Sequence, residues 1–432
     1  SPMTNKLLFE AGLSSLNRRW GGQAPAGALM DFIPVVELVP HPGGGVPVPF
    51  YAYRAPWSFF GNLYGLDQQH NVWKASLSYV TGAHNFKVGY QAGYLVEQQT
   101  RNSVTSGIEN YLFFDGFPIS LTQQINDQRW SNRVRYDGIY VQDQWTRNRL
   151  TLQGALRYEY ARSWFPEGEN GILSSGPFID APIVFPRIQG VKGFNDITPR
   201  LGAAYDVFGN GKTSLKASFS KYLQPANNES VFTSGNPAVT FAAMTSRGWF
   251  DADGDYVADC NLRNSAANGE CQQWDNLNFG KATSGTTVNP AVLEGWGSRP
   301  YDWQMSVSLQ QEILPRVSAE VGYNRRSWGN FYYTDNRPVG PSDFDKVTIT
   351  APRNSKLPDG GGYPVSFFVV KDNKFGAFDN YFTFASDYGD VTYYWHGLDY
   401  SANARLTNGL TIQGGATTGR GIRDTCHVQA KV

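Results

Sequence analysis

The sequence predicts an all-β fold, a transmembrane antiparallel up-and-down β-barrel, and two observations support this prediction. The first is a strict alternation of apolar and polar residues, which recurs in about eleven segments of about ten residues each. The second is that the connections between these segments alternate between short turns and long loops. A tilted strand of about ten residues can cross a bilayer, and the alternation gives it one face for lipid and one for water.

The hairpin around Leu314-Pro315-Arg316 shows the alternation most clearly. Before this turn, the odd-numbered residues from Trp303 to Leu309 are apolar and the residues between them are polar. After the turn, the odd-numbered residues from Val317 to Tyr323 are apolar, again with polar or small residues between them. The other segments of this kind begin at Leu7, Trp73, Phe86, Ile139, Leu150, Leu201, Leu215, Leu398 and Leu410.

The connections between these segments differ in length in a regular way. Hairpin turns span about three to five residues, whereas the segments between hairpins are long and cover residues 18–69, 100–133, 163–196, 225–300 and 329–397. Outer-membrane barrels have this asymmetry, with short turns in the periplasm and long loops outside the cell. Loops this long are uncommon in compact soluble domains. The alternative that remains open is a soluble β-sandwich, in which two sheets would bury the apolar faces between them.

The composition argues against several classes of function. Lys and Arg together number 37, as do Asp and Glu, so no net positive charge would attract nucleic acid. The mean hydropathy is −0.40, and no apolar run reaches the roughly 18 residues of a membrane-spanning helix. The 5 His residues lack zinc-site spacing, and no nucleophile motif of the type Gly-x-Ser-x-Gly occurs. We therefore expect no nucleic-acid partner and no enzyme activity.

Four stretches of the sequence carry a resemblance to a known family. They are Tyr136–Trp145, Leu150–Tyr158, Ile197–Tyr205 and His84–Gly89. In these stretches the sequence resembles the barrel region of TonB-dependent outer-membrane receptors, particularly the Oar-like branch. The resemblance implies a barrel of about 22 strands around a plug domain. It also implies uptake of a large or scarce solute, with energy delivered by the TonB complex of the inner membrane and with no cofactor required.

By this resemblance, residues 1–432 form part of one outer-membrane β-barrel domain and contribute about half of its strands. We expect the remaining strands, a plug domain and a TonB-contacting segment elsewhere in the protein, because two open sheet edges are not tolerated in lipid. The expected partners are outer-membrane lipid, the TonB complex and an unknown extracellular solute, and the expected location is the bacterial outer membrane. Two other functions remain open: a passive porin-like channel, and a surface or adhesion protein that the barrel anchors.

Residues 225–300 are predicted to form a large extracellular loop, and an acidic turn lies within it. The turn contains Asp251, Asp253, Asp255 and Asp259. Ca²⁺ takes about six to eight oxygen ligands, and close carboxylates repel one another unless a cation neutralises them. The four Asp residues are therefore candidate calcium ligands. The run departs from the EF-hand pattern, and a solvated acidic turn remains the alternative.

Three cysteines are present, and two of them lie in the same loop. We expect Cys260 and Cys271 to form a disulfide, which indicates an oxidising compartment and would stiffen the loop. Cys426 has no partner evident from its spacing. A free thiol and a bond to a cysteine elsewhere both remain open for it.

Aromatic residues in the predicted loops are candidates for solute capture, because rings stack on apolar or sugar surfaces. Packing of the loops against each other is the alternative, and the sequence favours it. The candidate residues are Trp249, Trp274, Trp296, Tyr332, Tyr333, Tyr393, Tyr394 and Trp395.

Overall fold

The computed structural model describes residues 3–21, 33–40, 47–53, 62–103, 108–126, 128–171, 178–283, 285–407 and 409–432. The strands in these ranges are β1 (Leu7–Gly21), β2 (Val35–Val39), β3 (Val48–Tyr53), β4 (Asn62–Thr81), β5 (His84–Ser103), β6 (Ile108–Phe114), β7 (Phe117–Gln124), β8 (Gln128–Arg147), β9 (Leu150–Phe165), β10 (Gly168–Asn170), β11 (Ile183–Phe185), β12 (Ile188–Gln189), β13 (Gly193–Asp206), β14 (Thr213–Leu223), β15 (Met244–Gly248), β16 (Thr287–Val288), β17 (Glu294–Trp296), β18 (Tyr301–Leu314), β19 (Val317–Gly329), β20 (Tyr332–Asn336), β21 (Phe344–Thr350), β22 (Pro364–Val370), β23 (Asn380–Phe384), β24 (Thr392–Arg405) and β25 (Thr411–Asp424).

Helices are few and short. The 3-10 helices cover Ser230–Thr233, Pro237–Val239, Pro290–Leu293, Pro341–Asp343, Pro358–Gly360, Asp372–Lys374 and Ala385–Asp387, and the α-helix α1 covers Cys426–Gln429. Across the described ranges, no helix has the length and apolar character needed to span a membrane.

Eleven strands form one antiparallel sheet in which each strand pairs with the next, and this confirms the predicted up-and-down arrangement. The order is β1-β4-β5-β8-β9-β13-β14-β18-β19-β24-β25, and β12 and β17 add short pairings to β9 and β13. Within the described residues, β1 and β25 each pair on one side only. The remaining strands form smaller sheets in the long connections, in the orders β15-β7-β6-β2-β3, β16-β23-β20, β10-β11 and β21-β22.

The hairpin turns all lie at one end of the large sheet, which we call the turn end, and the long connections lie at the other, the loop end. The turns need residues that adopt a positive φ. Gly82 supplies it between β4 and β5, and Asn148 supplies it between β8 and β9, both with φ of 53°. Gly209 and Gly211 do the same between β13 and β14. The predicted turn at 407–409 includes Asn408, which lies outside the described residues.

Several strands are longer than the predicted ten residues. The strands β4, β5 and β8 have 20 residues each, and β9 has 16. The predicted connections 100–133 and 163–196 therefore contain parts of strands, and the prediction of their length is wrong. The cause is that backbone pairing continues beyond the apolar band, where both faces are polar and the alternation fades. Of the predicted connection 18–69, residues 22–32, 41–46 and 54–61 lie outside the described ranges.

The apolar residues that the sequence predicts to face lipid share one side of the sheet, which we call the outer face. Val88, Val141 and Leu156 are cross-strand neighbours on it. Their relative exposures are 49%, 53% and 48%. A soluble sandwich would bury such residues against a second sheet, whereas the described part of the chain leaves them uncovered. The outer face is therefore the surface that meets lipid.

The opposite side, the inner face, is polar and carries ion pairs between neighbouring strands. Lys87 Nζ lies 2.7 Å from Glu10 Oε2, and Arg326 Nε lies 2.9 Å from Asp302 Oδ1. Such groups require water or a partner, and a wet lumen offers both. Buried apolar residues on this face lie toward the loop end, where the long connections pack against the sheet.

The assignment of the two faces leads to a prediction about Val141. The substitution Val141→Arg should lower the free energy of unfolding by about 2–4 kcal/mol, because it places a charge near the middle of the lipid-facing band. Urea unfolding of the intact protein in lipid vesicles measures this change. Gln142→Arg is the matched control, since its side chain is on the inner face, and it should have little effect. Equal destabilisation by both variants would contradict the assignment.

Candidate functional site

The long segment between β14 and β18 packs against the inner face at the loop end. Val231 and Phe232 are fully buried in one apolar cluster with Val134 of β8 and Phe194 of β13. The rings of Phe194 and Phe232 meet edge to face, with centroids 5.6 Å apart. Val292, near the other end of the segment, is buried in the same cluster. We call residues 224–300 the loop assembly, and it covers this part of the inner wall.

A buried arginine fastens the loop assembly to the wall. Arg299 is fully buried, with Nη1 2.8 Å from Glu159 Oε1 of β9 and Nη2 3.0 Å from Asp196 Oδ2 of β13. Its Nη1 also donates to the carbonyl of Gln224, and the N–H of Gln224 donates to the carbonyl of Pro300 at 2.8 Å. The two ends of the segment are thereby joined to each other and to two strands. Sequence reasoning missed Arg299, because no pattern distinguishes it from other loop arginines.

Two of the predicted capture residues lie in the interior of the loop assembly. Trp249 is 2% exposed and packs on Tyr111 of β6, with ring centroids 4.5 Å apart. Trp274 is 7% exposed and packs edge to face on Phe279. Both residues contribute to packing, and neither presents its ring to a solute.

The remaining predicted capture residues are distributed over several surfaces. Trp296 is 67% exposed and lies against Tyr158 on the outer face. Tyr332 packs on Phe382 with centroids 5.1 Å apart, and Tyr333 meets Tyr388. The prediction that Tyr393, Tyr394 and Trp395 belong to a loop is wrong, because they lie on β24.

Alternation along β24 separates these three aromatics further. Tyr393 stacks on Trp328 at 4.1 Å on the inner face, whereas Tyr394 lies beneath Arg325 on the outer face. Neighbours in a strand point to opposite sides of the sheet, so a run of aromatic residues in a strand cannot form one binding surface. The structure therefore does not bring the eight predicted aromatics together.

The acidic turn curls so that its carboxylates approach one another. Single oxygens of Asp253, Asp255 and Asp259 lie within 4.8 Å of each other, as do those of Asp251, Asp253 and Glu270. Asp251 also accepts backbone N–H groups from Gly254 at 2.8 Å and Tyr256 at 3.1 Å. These backbone bonds fix the curl of the turn. Asp253 belongs to both groups of carboxylates.

Glu270 is a member of this cluster that the sequence did not reveal. Cys260 and Cys271 are joined by a disulfide, which brings Glu270 beside Asp259 although 11 positions separate them. The N–H groups of Ala252 and Asp259 donate to Glu270 and lower the pKa of its carboxyl. Cys426, in contrast, is a free and exposed thiol in the structure.

The pKa of Asp253 is raised by its surroundings. A hydrogen bond from the Asp255 N–H lowers it, but desolvation and the nearby carboxylates of Asp255, Glu270 and Asp259 together raise it. The charged form of Asp253 is thus held at an electrostatic cost, which a bound cation would remove.

A cleft of about 900 Å³ opens at the loop end of the first four strands of the large sheet. The ends of β1, β4, β5 and β8 bound it, together with the segment 166–169 and residues near 236–238. Its lining mixes aromatic, amide and charged groups, among them Trp20, Gln99, Arg129, Trp130 and Glu169. The cleft has the size of pockets that hold small molecules and combines apolar area with a few polar groups.

The family of the chain follows from comparison with known proteins. The model of a family described as an outer membrane beta barrel domain matches residues 36–428. The chain belongs to this family. The barrel domain therefore resides in the bacterial outer membrane, and the long-loop end corresponds to the end that such barrels present outside the cell. No curated protein matches the sequence.

Solved structures with a similar fold include three outer-membrane proteins. The outer membrane transporter YddB from Escherichia coli has a TM-score of 0.47 and 10% identity, over 97% of this chain and 41% of that chain. The ferric yersiniabactin uptake receptor FyuA from Yersinia pestis has a TM-score of 0.45 and 7% identity, over 98% of this chain and 41% of that chain. The ferripyoverdine receptor of Pseudomonas aeruginosa has a TM-score of 0.42 and 12% identity, over 97% of this chain and 38% of that chain. The barrel domain thus spans about two fifths of the length of these structures.

The buried ion group of the loop assembly leads to a second prediction. Arg299→Met should destabilise the attachment of the assembly by about 3–5 kcal/mol, because Asp196 would stay buried without its ion-pair partner. Glu159 would keep its pair with Arg157 but lose its link to the assembly. Limited proteolysis of the intact protein, with cleavage sites mapped by mass spectrometry, should show new cuts within 224–300.

The control for this experiment is Arg337→Met. Arg337 pairs with Asp379 at the surface, where solvent screens the interaction, so its removal should leave the cleavage pattern unchanged. A wild-type pattern in Arg299→Met would show that the buried group does not hold the assembly.

Proposed function

We propose that the barrel domain forms about half of the wall of a TonB-dependent outer-membrane receptor. The receptor would take up a large or scarce solute from outside the cell. Family membership supports an outer-membrane barrel, and the sequence resemblance at Tyr136–Trp145 and Leu150–Tyr158 supports the receptor class. These two stretches form the hairpin of β8 and β9 near the middle of the sheet.

The observation that carries this proposal is the loop assembly on the inner face. A passive pore needs an open, water-filled lumen, whereas this segment brings Val231, Phe232 and Val292 onto the wall and fixes them through Arg299. Barrels of about 16–18 strands enclose an aqueous channel, and barrels of about 22 strands hold a plugged lumen. The eleven strands of the described sheet would supply about half of a barrel of the larger class.

We propose that the solute first binds in the cleft at the loop end. Its walls come from the long hairpins that extend beyond the apolar band, which places the cleft on the outer side of the membrane. Trp20 and Trp130 offer stacking surfaces, while Arg129 and Glu169 offer charges of both signs. This lining suits an amphipathic solute with polar groups on an apolar frame.

Two measurements on the intact protein test the receptor proposal. In a planar bilayer the protein should show no steady ion conductance, because a plugged lumen does not pass ions freely. The purified periplasmic domain of TonB should bind the protein in detergent. Open, ohmic conductance without TonB binding would instead indicate a passive channel, and the absence of both would indicate a barrel that only anchors a surface structure.

We further propose that the acidic turn binds Ca²⁺ and that Asp253 is the central ligand. The support is geometric, since Asp253 belongs to both groups of oxygens that lie within 4.8 Å of one another. Oxygen ligands of this kind are those that Ca²⁺ prefers. The cation would relieve the repulsion among the carboxylates and hold the turn beside the disulfide.

Calorimetric titration of the intact protein with Ca²⁺ tests this second proposal. Asp253→Asn should weaken binding by about tenfold or more, because it removes a charge from both groups. Asp359→Asn, in an exposed loop apart from the turn, should bind as the wild type does. Affinity should also fall as the pH falls through the raised pKa of Asp253, because protons compete with the metal. Equal affinities in all three proteins would contradict the proposal.

A further inference from the structure

The outer face carries positive charge just beyond its apolar band, on the loop-end side. On β9 the outward side chains run from Leu156 through Tyr158 and Tyr160 to Arg162. Arg133 of β8 points to the same side, as does Arg187, which follows β11. We call Arg133, Arg162 and Arg187 the arginine patch.

Two arginines of the patch converge on one aromatic ring. Arg162 Cζ lies 5.8 Å from the centroid of the Trp164 ring, and Arg187 Cζ lies 5.9 Å from it. Arg133 is the register partner of Trp164 on the neighbouring strand. A cavity of about 360 Å³ lies beside this ring, lined by Arg162, Trp164 and Arg187 among others. Tyr94 stacks against Trp164 at 5.8 Å and completes the aromatic base.

The three patch arginines form no direct ion pair within the described residues, and Asp137 acts on Arg162 only at longer range. Two other outward arginines differ from them in this respect. Arg135 forms a two-pronged contact with Asp137, at 2.9 and 3.0 Å, and Arg19 pairs with Asp67. In the described ranges, no carboxylate lies within ion-pair distance of the three patch guanidinium groups. Three close like charges repel one another, so this arrangement favours an anion from outside the chain.

We propose that the arginine patch binds the phosphate groups of the glycolipid in the outer leaflet around the barrel. Its position on the lipid side, just beyond the apolar band, corresponds to headgroup depth. Guanidinium groups bind phosphate through paired hydrogen bonds, and basic clusters beside a membrane recognise anionic headgroups. Trp164 and Tyr94 are rings of the kind that occupy the membrane interface. Arg133 also borders the cleft proposed for the solute, whereas Arg162 and Arg187 do not.

At the turn end of the outer face, His84 of β5 and Asp143 of β8 form a pair, with Nδ1 and Oδ2 2.7 Å apart. Arg147 of β8 also points outward there. Within the described residues, Arg147 shares no aromatic ring with a second arginine, so the grouping of arginines around one ring is a feature of the loop end.

Native mass spectrometry of the intact protein in detergent tests the proposal, with diphosphorylated lipid A as the probe. The double variant Arg162→Gln/Arg187→Gln should bind this lipid about thirtyfold more weakly, since each surface arginine adds about fivefold to the affinity for an anionic headgroup. Binding of dephosphorylated lipid A should be weak in the wild type and unchanged in the variant. Retention of the heat-dependent shift in gel mobility verifies that the variant is folded.

The matched control removes two arginines from the inner face. Arg200 stacks on Tyr222 with Cζ 4.7 Å from the ring, and Arg423 of β25 is the register partner of the inner-face residue Tyr393. Arg200→Gln/Arg423→Gln should bind lipid A as the wild type does. Equimolar inorganic phosphate should not displace the lipid, and displacement would show that the patch is a site for free phosphate. Unchanged lipid binding in the patch variant, or equal loss in the control, would overturn the proposal.

Discussion

Every backbone N–H and C=O group that lies in lipid must find its partner within the protein, because acyl chains offer none. In the described part of the barrel domain, every strand of the ladder between β1 and β25 meets this requirement by pairing on both sides. The side-chain pattern follows from the ladder, since pairing fixes which residues share a face. The polar inner face, the apolar outer face and the placement of the loops all depend on this continuous pairing.

The sequence allowed the eleven strands to be predicted because the two sides of the sheet meet different solvents. Residues such as Val141 and Leu156 face lipid and are apolar, whereas the residues next to them in the strand face water and are mostly polar. The sequence therefore alternates with a period of two. The loop assembly has no such regular boundary. Its position depends on contacts between distant residues, such as Arg299 with Asp196, for which no local pattern exists.

The aromatic residues also show what could not be predicted from the sequence. Trp249 and Trp274 were correctly placed in the large connection, but only the fold reveals that both are buried. Tyr393, Tyr394 and Trp395 were misplaced because three successive aromatics interrupt the alternation at the start of β24. Glu270 was overlooked because the disulfide, and not proximity in sequence, brings it to the acidic turn. Sequence reasoning thus predicted the wall well and its interior contents poorly.

Charged groups occupy three environments in this domain, and the charge is balanced differently in each of them. Arg299 is buried and has two carboxylates at hydrogen-bond distance, as the low dielectric of an interior requires. Inner-face residues such as Lys87 pair with a neighbouring strand while remaining accessible to water. Outer-face arginines near Trp164 have aromatic contacts but no direct ion pair among the described residues. The direction in which a strand residue points therefore decides how its charge is balanced.

The junction of Gln224, Arg299 and Pro300 ties together two points that lie 75 residues apart in the chain. Because these contacts join the two ends of the loop assembly next to the sheet, mutations, insertions or deletions between those ends need not disturb the strands. Selection could then change the sequence of the outermost surface while the wall stays unchanged. The loop assembly is thus free to vary in sequence while the strands beneath it keep theirs.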